Sequence, residues 1–352
     1  MSTAVLAGVR VLRARRGLVS LWLPVSLAFL LGSMLVGVLV GPADLSAVDV
    51  VRSLLAHAGV PGIRTHLSGV DETILWQIRM PRVVLGALVG AMLATAGASY
   101  QGVFRNPLAD PYLLGVAAGA GLGATLAVTY APSRELLPPA AFAGGAIAVV
   151  ITYALGSAGG RDRSGATLVL AGVTVVSFLT AVQTFVQQQH ANTLQQVYSW
   201  ILGSLPSSGW SDVVLLLPYV ALALGVLLLH RRLLDVLSLG EEEAATVGID
   251  VGRVRFAIVA AATIGTAGAV AVSGLIGFVG IIVPHAIRLV AGSSYRRLLP
   301  LSVVVGAAFL VLADVVARTV LSPAEVPIGV VTAFCGAPFF AVVLRTSRKG
   351  FR

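Results

Sequence analysis

Ten apolar stretches of hydrocarbon length, with the charges held almost entirely between them, leave this chain little choice of fold. Their approximate limits are 18–40, 82–104, 112–130, 138–158, 166–189, 213–230, 254–272, 275–291, 298–316 and 326–345. A bilayer core about 30 Å thick takes about 20 apolar residues of helix to cross. Inside it every backbone polar group must be paired, which only helices and closed barrels achieve. The alternation of barrel strands is absent, so the spans read as helices. The expectation is an all-α polytopic membrane protein of about ten spans, forming a single membrane domain over residues 1–352. Composition agrees. Of the 352 residues 57% are hydrophobic and 11% charged, against about 25% charged in a soluble domain.

The first span follows Arg10, Arg13, Arg15 and Arg16, as the apolar part of a secretory leader would. Its apolar run is too long for a leader, and Gly41-Pro42 is not a small-residue cleavage site, so it reads as a retained span. The net charge of +9 reports topology rather than nucleic-acid binding. With the amino terminus inside, six of the 24 Lys and Arg fall outside: Arg52, Arg64, Arg79, Arg82, Arg134 and Arg318. The other eighteen fall inside, clustered at residues 10–16, 161–163, 231–232, 253–255, 296–297 and 345–352. That bias predicts an inner (plasma) membrane protein with both termini cytoplasmic.

Cys335 is the single cysteine, so no intrachain disulfide and no cysteine-based metal site is expected. It reads as a small buried apolar residue of the last span. The five histidines show no metal-ligand spacing. Lys349 is the only lysine, with no glycine loop ahead of it; a nucleotide-binding G-x-x-x-x-G-K-[ST] loop is therefore excluded. No G-x-S-x-G elbow occurs either. The chain reads as a non-enzyme that binds no cofactor of its own.

Two outside segments carry local signals. Within residues 41–80, Ser46 and Asp49 form a helix-start pair, and Val50, Val51, Leu54 and Leu55 form an apolar stripe. The segment Gln187–Trp210 is too polar to span and reads as a broken or re-entrant helix. Glycines four apart, Gly86/Gly90 and Gly115/Gly119/Gly123, with Gly32 and Gly37 more loosely spaced, read as close helix contacts.

The polar points between the spans carry a resemblance. They are RMPR (Arg79–Arg82), FRNPLADPYLLG (Phe104–Gly115), SGLIGFVGIIVPHAIRLVAG (Ser273–Gly292), SSYRRLLP, ADVVARTV and EVPIGVVTAFCGAPFFAVVL. Over nearly the whole chain this resembles the permease subunit of the ATP-driven type II importers for ferric siderophores, haem and cobalamin. The departures are Met80, where that family commonly has Leu, and EVP in place of ELP. The resemblance implies a ferric siderophore or haem as cargo, with a corrinoid as the alternative. It implies a homodimeric permease moving the cargo by alternating access. Two separate ATPase chains would hold ATP and Mg, an extracytoplasmic binding protein would deliver the ligand, and lipid would surround the whole. The inside loop Leu233–Arg253 matches the family's coupling pattern L-G-E-x-x-A-x-x-L-G, with Val247 for the last Leu. By that match Gly240, Glu241, Ala244 and Gly248 dock on the ATPase, and Arg79, Arg82 and Arg318 receive acids of the binding protein.

Plainer readings stand beside these. The arginines snorkel, or pair with local acids such as Glu325. Asn106, Pro107, Asp110 and Pro111 make a tight turn. His285 is a packed residue. Asp314 and Arg318, four apart, share a helix face and pair. Ser177, Thr180, Gln183 and Gln187, with Tyr198 and Trp200, form a translocation wall, or the amides bond between helices. A rival function, an ion-coupled secondary transporter, needs ionisable groups inside several spans, and only Asp314 comes close. A non-transporting membrane scaffold would use the inside loop for some other partner.

Overall fold

The computed structural model describes residues 3–131, 133, 135–157, 165–205 and 209–347. Arg134, Arg161, Arg163 and the 348–352 tail with Lys349 lie outside them. Every regular element among the described residues is helical.

A long first helix, α1 (Thr3–Leu39), leads into the segment that the charge bias assigns to the outside, where α2 (Ala47–His57) and α3 (Gly69–Thr73) lie; outer and inner name the two sides of that expected topology. The Ser46 hydroxyl caps α2, accepting from the Asp49 N–H at 3.4 Å. Its stripe divides: Val50 and Leu54 pack on Val38, Leu75 and Val83, whereas Val51 and Leu55 stay exposed. α3 passes through one π turn (Ile74–Arg79) into α4 (Met80–Val103), so this span begins well before residue 82.

The remaining bundle comprises α5 (Val116–Tyr130), α6 (Leu137–Ser157), α7 (Gly165–Gln189), the short α8 (Leu194–Ile201) and α9 (Trp210–Leu229). An inner pair, α10 (Arg231–Leu237) and α11 (Glu241–Thr246), precedes α12 (Val251–Ser273), α13 (Val279–Ala291), α14 (Tyr295–Thr319) and α15 (Ile328–Ser347). Among the described residues seven stretches are long and apolar enough to cross a membrane: α1 from Leu21, the continuous Gly69–Val103, α6, α7, α9, α12 and α14. α5, α13 and α15 are shorter apolar helices. They occupy the ten positions that hydropathy marks.

Two of the short ones start later than expected. Span three gives way to a tight turn (Pro111–Leu114) and to Gly115 at φ +89°, so α5 begins at Val116. Span eight is irregular from Gly274 (φ +67°) to Phe278 (φ +68°), so α13 begins at Val279.

α4 is the centre of the molecule. It packs against α14, α12, α13 and α9, and from Val89 to Gly102 every residue is buried. Such an approach needs bare backbone: a Cβ placed on Gly97 would lie 2.0 Å from the Gly280 carbonyl oxygen of α13. Gly119 of α5 meets Gly144 of α6 in the same way, at 2.2 Å. Gly32 faces open space and makes no such contact. Cys335, expected inside, is exposed. α15 packs through Ile328, Val331, Thr332 and Gly336, which turns Phe334 and Cys335 outward.

Candidate functional site

At the outer end of α4 the structure gathers five charged side chains that lie up to 246 positions apart between Arg79 and Glu325. The Arg82 fork donates from Nε and Nη2 to Asp314 of α14, at 3.0 and 2.8 Å. It also donates from Nη1 and Nη2 to Glu325, at 2.8 and 2.9 Å. Arg318 sits 3.3 Å from Asp314, the expected i,i+4 partner, and both side chains are only 3% exposed.

Arg79 and Arg318 share a second task. Arg79 Nη1 donates to the Val38 and Leu39 carbonyls at 2.8 Å each, and Nη2 reaches the Ala43 carbonyl. Arg318 Nη2 donates to the Gly37 carbonyl. Ala43 lies just past α1; Gly37, Val38 and Leu39 carry its last carbonyls, which have no partner within the helix, and a cation there also meets the negative end of the helix dipole. The three arginines therefore do not stand as a row of free cations on the outer face. Burial between α1, α4 and α14 turns Arg79 and Arg318 inward, and Arg82 alone of the three reaches an exposed counter-ion. The sequence shows the i,i+4 pair; it carries no mark that the carbonyls of α1 are the other partners.

On the inner side, α10 and α11 form a compact corner. Asp235 of α10 accepts from the Tyr295 N–H at 2.6 Å and the Ser294 hydroxyl at 3.0 Å, capping α14 from outside it. Ala244 is buried, which seats α11, and Glu242 and Glu243 are exposed, with the Glu243 carboxylate lying back over Gly240. Glu241 turns back to pair with Arg255 of α12, a partner with no sequence signal beyond the basic flank. Gly248 ends the turn at φ +78°, a conformation that favours glycine. Leu239 and Val247 are 72% and 65% exposed on either side of α11.

The expected pathway residues separate. Gln183 and Gln187 are buried, Gln183 against Gly121 of α5. Ser177 and Thr180 lie on the exposed face of α7, where the Ser177 hydroxyl donates to its own helix at Val173. One stripe thus becomes two, because α7 packs on α5 and α6 through a single side. Tyr198 is exposed, and Trp200 belongs to the partly buried shell around the cluster of Ala120, Ala124, Ala141, Val270 and Ala271.

Beside them lies an apolar groove of about 550 Å³, lined among others by Leu202, Leu275, Phe278, Val330, Phe334 and Pro338. The end of α8, the irregular Ser273–Phe278 segment and the start of α15 meet there: the Ser204 N–H donates to the Ser273 carbonyl and the Ile328 N–H to Gly203. The glycines of SGLIG are the only sequence trace of this junction. His285 packs edge-on to Phe339 and Phe340.

The NPLADP segment is a turn. Asn106 Oδ1 accepts from the Leu108 N–H and Asp110 Oδ1 from the Tyr112 N–H, at 2.9 and 2.8 Å. Burial pushes the Asp110 carboxyl up to about 6, against the lowering effect of that bond. The Tyr112 hydroxyl ties the turn to Ile276, donating to its carbonyl at 3.0 Å.

Comparison with known proteins decides what this arrangement is. The model of the FecCD transport family matches residues 29–346. The chain belongs to the FecCD transport family. Among its FecCD relatives is the cobalamin import system permease protein BtuC of Halobacterium salinarum, 48% identical over 79% of this chain and 75% of that one. The ABC transporter permease protein YvrB of Bacillus subtilis is 40% identical over 93% and 94%. FecD of Escherichia coli, a permease protein of the Fe(3+) dicitrate transport system, is 37% identical over 77% and 85%. A solved inward-facing ABC transporter assigned to the metal-chelate type superposes with a TM-score of 0.81 at 30% identity, covering 92% of this chain and 98% of that one. This FecCD chain is therefore a multi-pass permease of the metal-chelate, siderophore and cobalamin class of ABC importers, a class in which the ATPase is a separate subunit.

Proposed function

We propose that this chain is the translocation subunit of an ATP-driven importer, in the plasma membrane with both termini cytoplasmic, carrying a large metal chelate inward by alternating access. The family match over residues 29–346 carries this reading. The cargo is a ferric siderophore, haem or a corrinoid. The 48% identity to a cobalamin import permease, against 37% to a ferric dicitrate one, favours the corrinoid. Two copies form the permease, and two ATPase chains, which hold ATP and Mg, bind its inner corners. Gly240, Glu241, Ala244 and Gly248 shape α11 for that contact: Ala244 anchors it, Glu241 braces it on Arg255 and Gly248 closes it, while Leu239, Glu242, Glu243 and Val247 face the partner. An acidic partner, the binding protein, docks at Arg82, with Arg79 and Arg318 holding the frame around it. Ser177, Thr180 and Tyr198, exposed on one side, face the path; Gln183, Gln187 and Trp200 support it from behind.

The test is uptake. The permease and its co-purifying ATPase and binding protein, reconstituted in liposomes, are given cyanocobalamin, haemin and a ferric siderophore in turn. ATP-dependent accumulation of cyanocobalamin above the other two is expected. Accumulation of a ferric siderophore or haem instead would overturn the corrinoid choice, and no ATP-dependent flux of any of them would overturn the importer reading.

A further inference from the structure

Two carboxylates share the Arg82 fork, and they are held in opposite ways. Asp314 grips it from inside the bundle, with its side chain 3% exposed, and is shared with Arg318. Glu325 closes the other edge from the loop between α14 and α15 and is 44% exposed. Water competes for an open pair and makes it cheap to exchange, whereas a buried pair cannot lose one partner without stranding the other. Asp314 is therefore the fixed side of the fork and Glu325 the removable one. Arg79, Arg82 and Arg318 are balanced by Asp314, Glu325 and the Asp44 carboxylate beside Arg79, and lifting Glu325 away leaves one surplus positive charge. The edge so uncovered is planar, two-pronged and already oriented by Asp314, the form that binds a carboxylate with two parallel hydrogen bonds.

We propose that Glu325 is an internal stand-in for a carboxylate of the docking partner. In the resting permease it closes the outer edge of Arg82; on docking, an Asp or Glu of the binding protein takes its place. The proposal rests on the docking reading given above. Docking then exchanges one ion pair for another, which fixes the partner's orientation while leaving it easy to release. The exchange also reaches the groove. Glu325 stands three residues before Ile328, the first residue of α15, and Gly329 and Val330 in the first turn of that helix line the groove. Freeing Glu325 leaves the loop held at this point by the Val326 N–H bond to the Ala317 carbonyl, 2.8 Å long.

The experiment holds the permease–ATPase complex in lipid nanodiscs and measures, at low salt, its affinity for the binding protein that co-purifies with it. Glu325→Gln is expected to tighten binding about threefold, the worth of one exposed ion pair. Arg82→Gln is expected to weaken binding, and the double variant to show none of the gain. Unchanged or weaker binding by Glu325→Gln, with Arg82→Gln still weakened, overturns the exchange and leaves docking at Arg82 standing. Unchanged binding by Arg82→Gln removes the docking reading and the exchange with it. Glu325 lies on an exposed loop, so its variant decides the exchange even where Arg82→Gln misfolds.

Discussion

At the outer end of α4, three arginines and an aspartate are locked between helices, and their hydrogen bonds run to one another and to the last carbonyls of α1. At the inner corner, three glutamates open a helix of six residues, and two of them are exposed. The outer charges are bound by what surrounds them; the inner ones are presented to whatever comes. Charge alone says nothing of this difference. What separates the two is whether a neighbouring helix end or only solvent lies within reach.

The largest effect is expected where the outer lock is broken. Asp314→Ala takes from Arg318 its carboxylate partner and leaves Arg82 with Glu325 alone, and the loss of one partner from a buried pair costs about 3–5 kcal/mol. A fall in the unfolding midpoint of the solubilised protein would register it; a midpoint within a degree of the parent's would show that the lock is not structural.

At the inner corner the stability changes are smaller and the functional ones larger. Gly248→Val places a branched side chain at φ +78°, at a cost of about 1–2 kcal/mol, and Glu241→Gln weakens a half-open ion pair worth about 1 kcal/mol or less. Both are expected to keep the fold and to separate ATP hydrolysis from uptake in liposomes. Tight coupling in both variants would place the ATPase contact elsewhere.

A further test turns on pH rather than on a lost contact. The Asp110 carboxyl, held up at about 6 against an ordinary value of 3.8, gives the fold a proton that the unfolded chain lacks between those two values. Its contribution to stability is therefore greatest below about pH 4, declines as pH rises to about 6, and is level above. Asp110→Asn should remove that decline while keeping the acceptor for the Tyr112 N–H. Midpoint-against-pH curves that run parallel for parent and variant would refute the assignment.

Much of this was legible in the sequence, and for definite reasons. Hydropathy marks the ten spans because lipid demands long apolar helix, and the i,i+4 spacing of Asp314 and Arg318 announces their pair. The shortened starts of α5 and α13 were less visible, since Gly-Leu-Ile-Gly is as apolar as the helix it interrupts. The partners of Arg79 were not visible at all. They are main-chain carbonyls about forty residues away, and any sequence ending a helix there supplies them equally well. Residue type failed likewise for Cys335 and for the α7 stripe, because helix rotation against α14 or α5, rather than polarity, sets which side is covered.

The bare backbone at Gly97 has a mechanical consequence. Where two helices touch through main chain, no side chain lies between them to change rotamer and take up a displacement. α4 and α13 therefore press on each other directly through main chain, and α14 joins them through Gly90 and Gly306, where a Cβ would lie 2.3 Å from a carbonyl oxygen. These three form a keel. In the transport cycle proposed above, the change of shape would fall to the helices covered on one side only, α7 and α15 among them, and to the loops by which they hang from it.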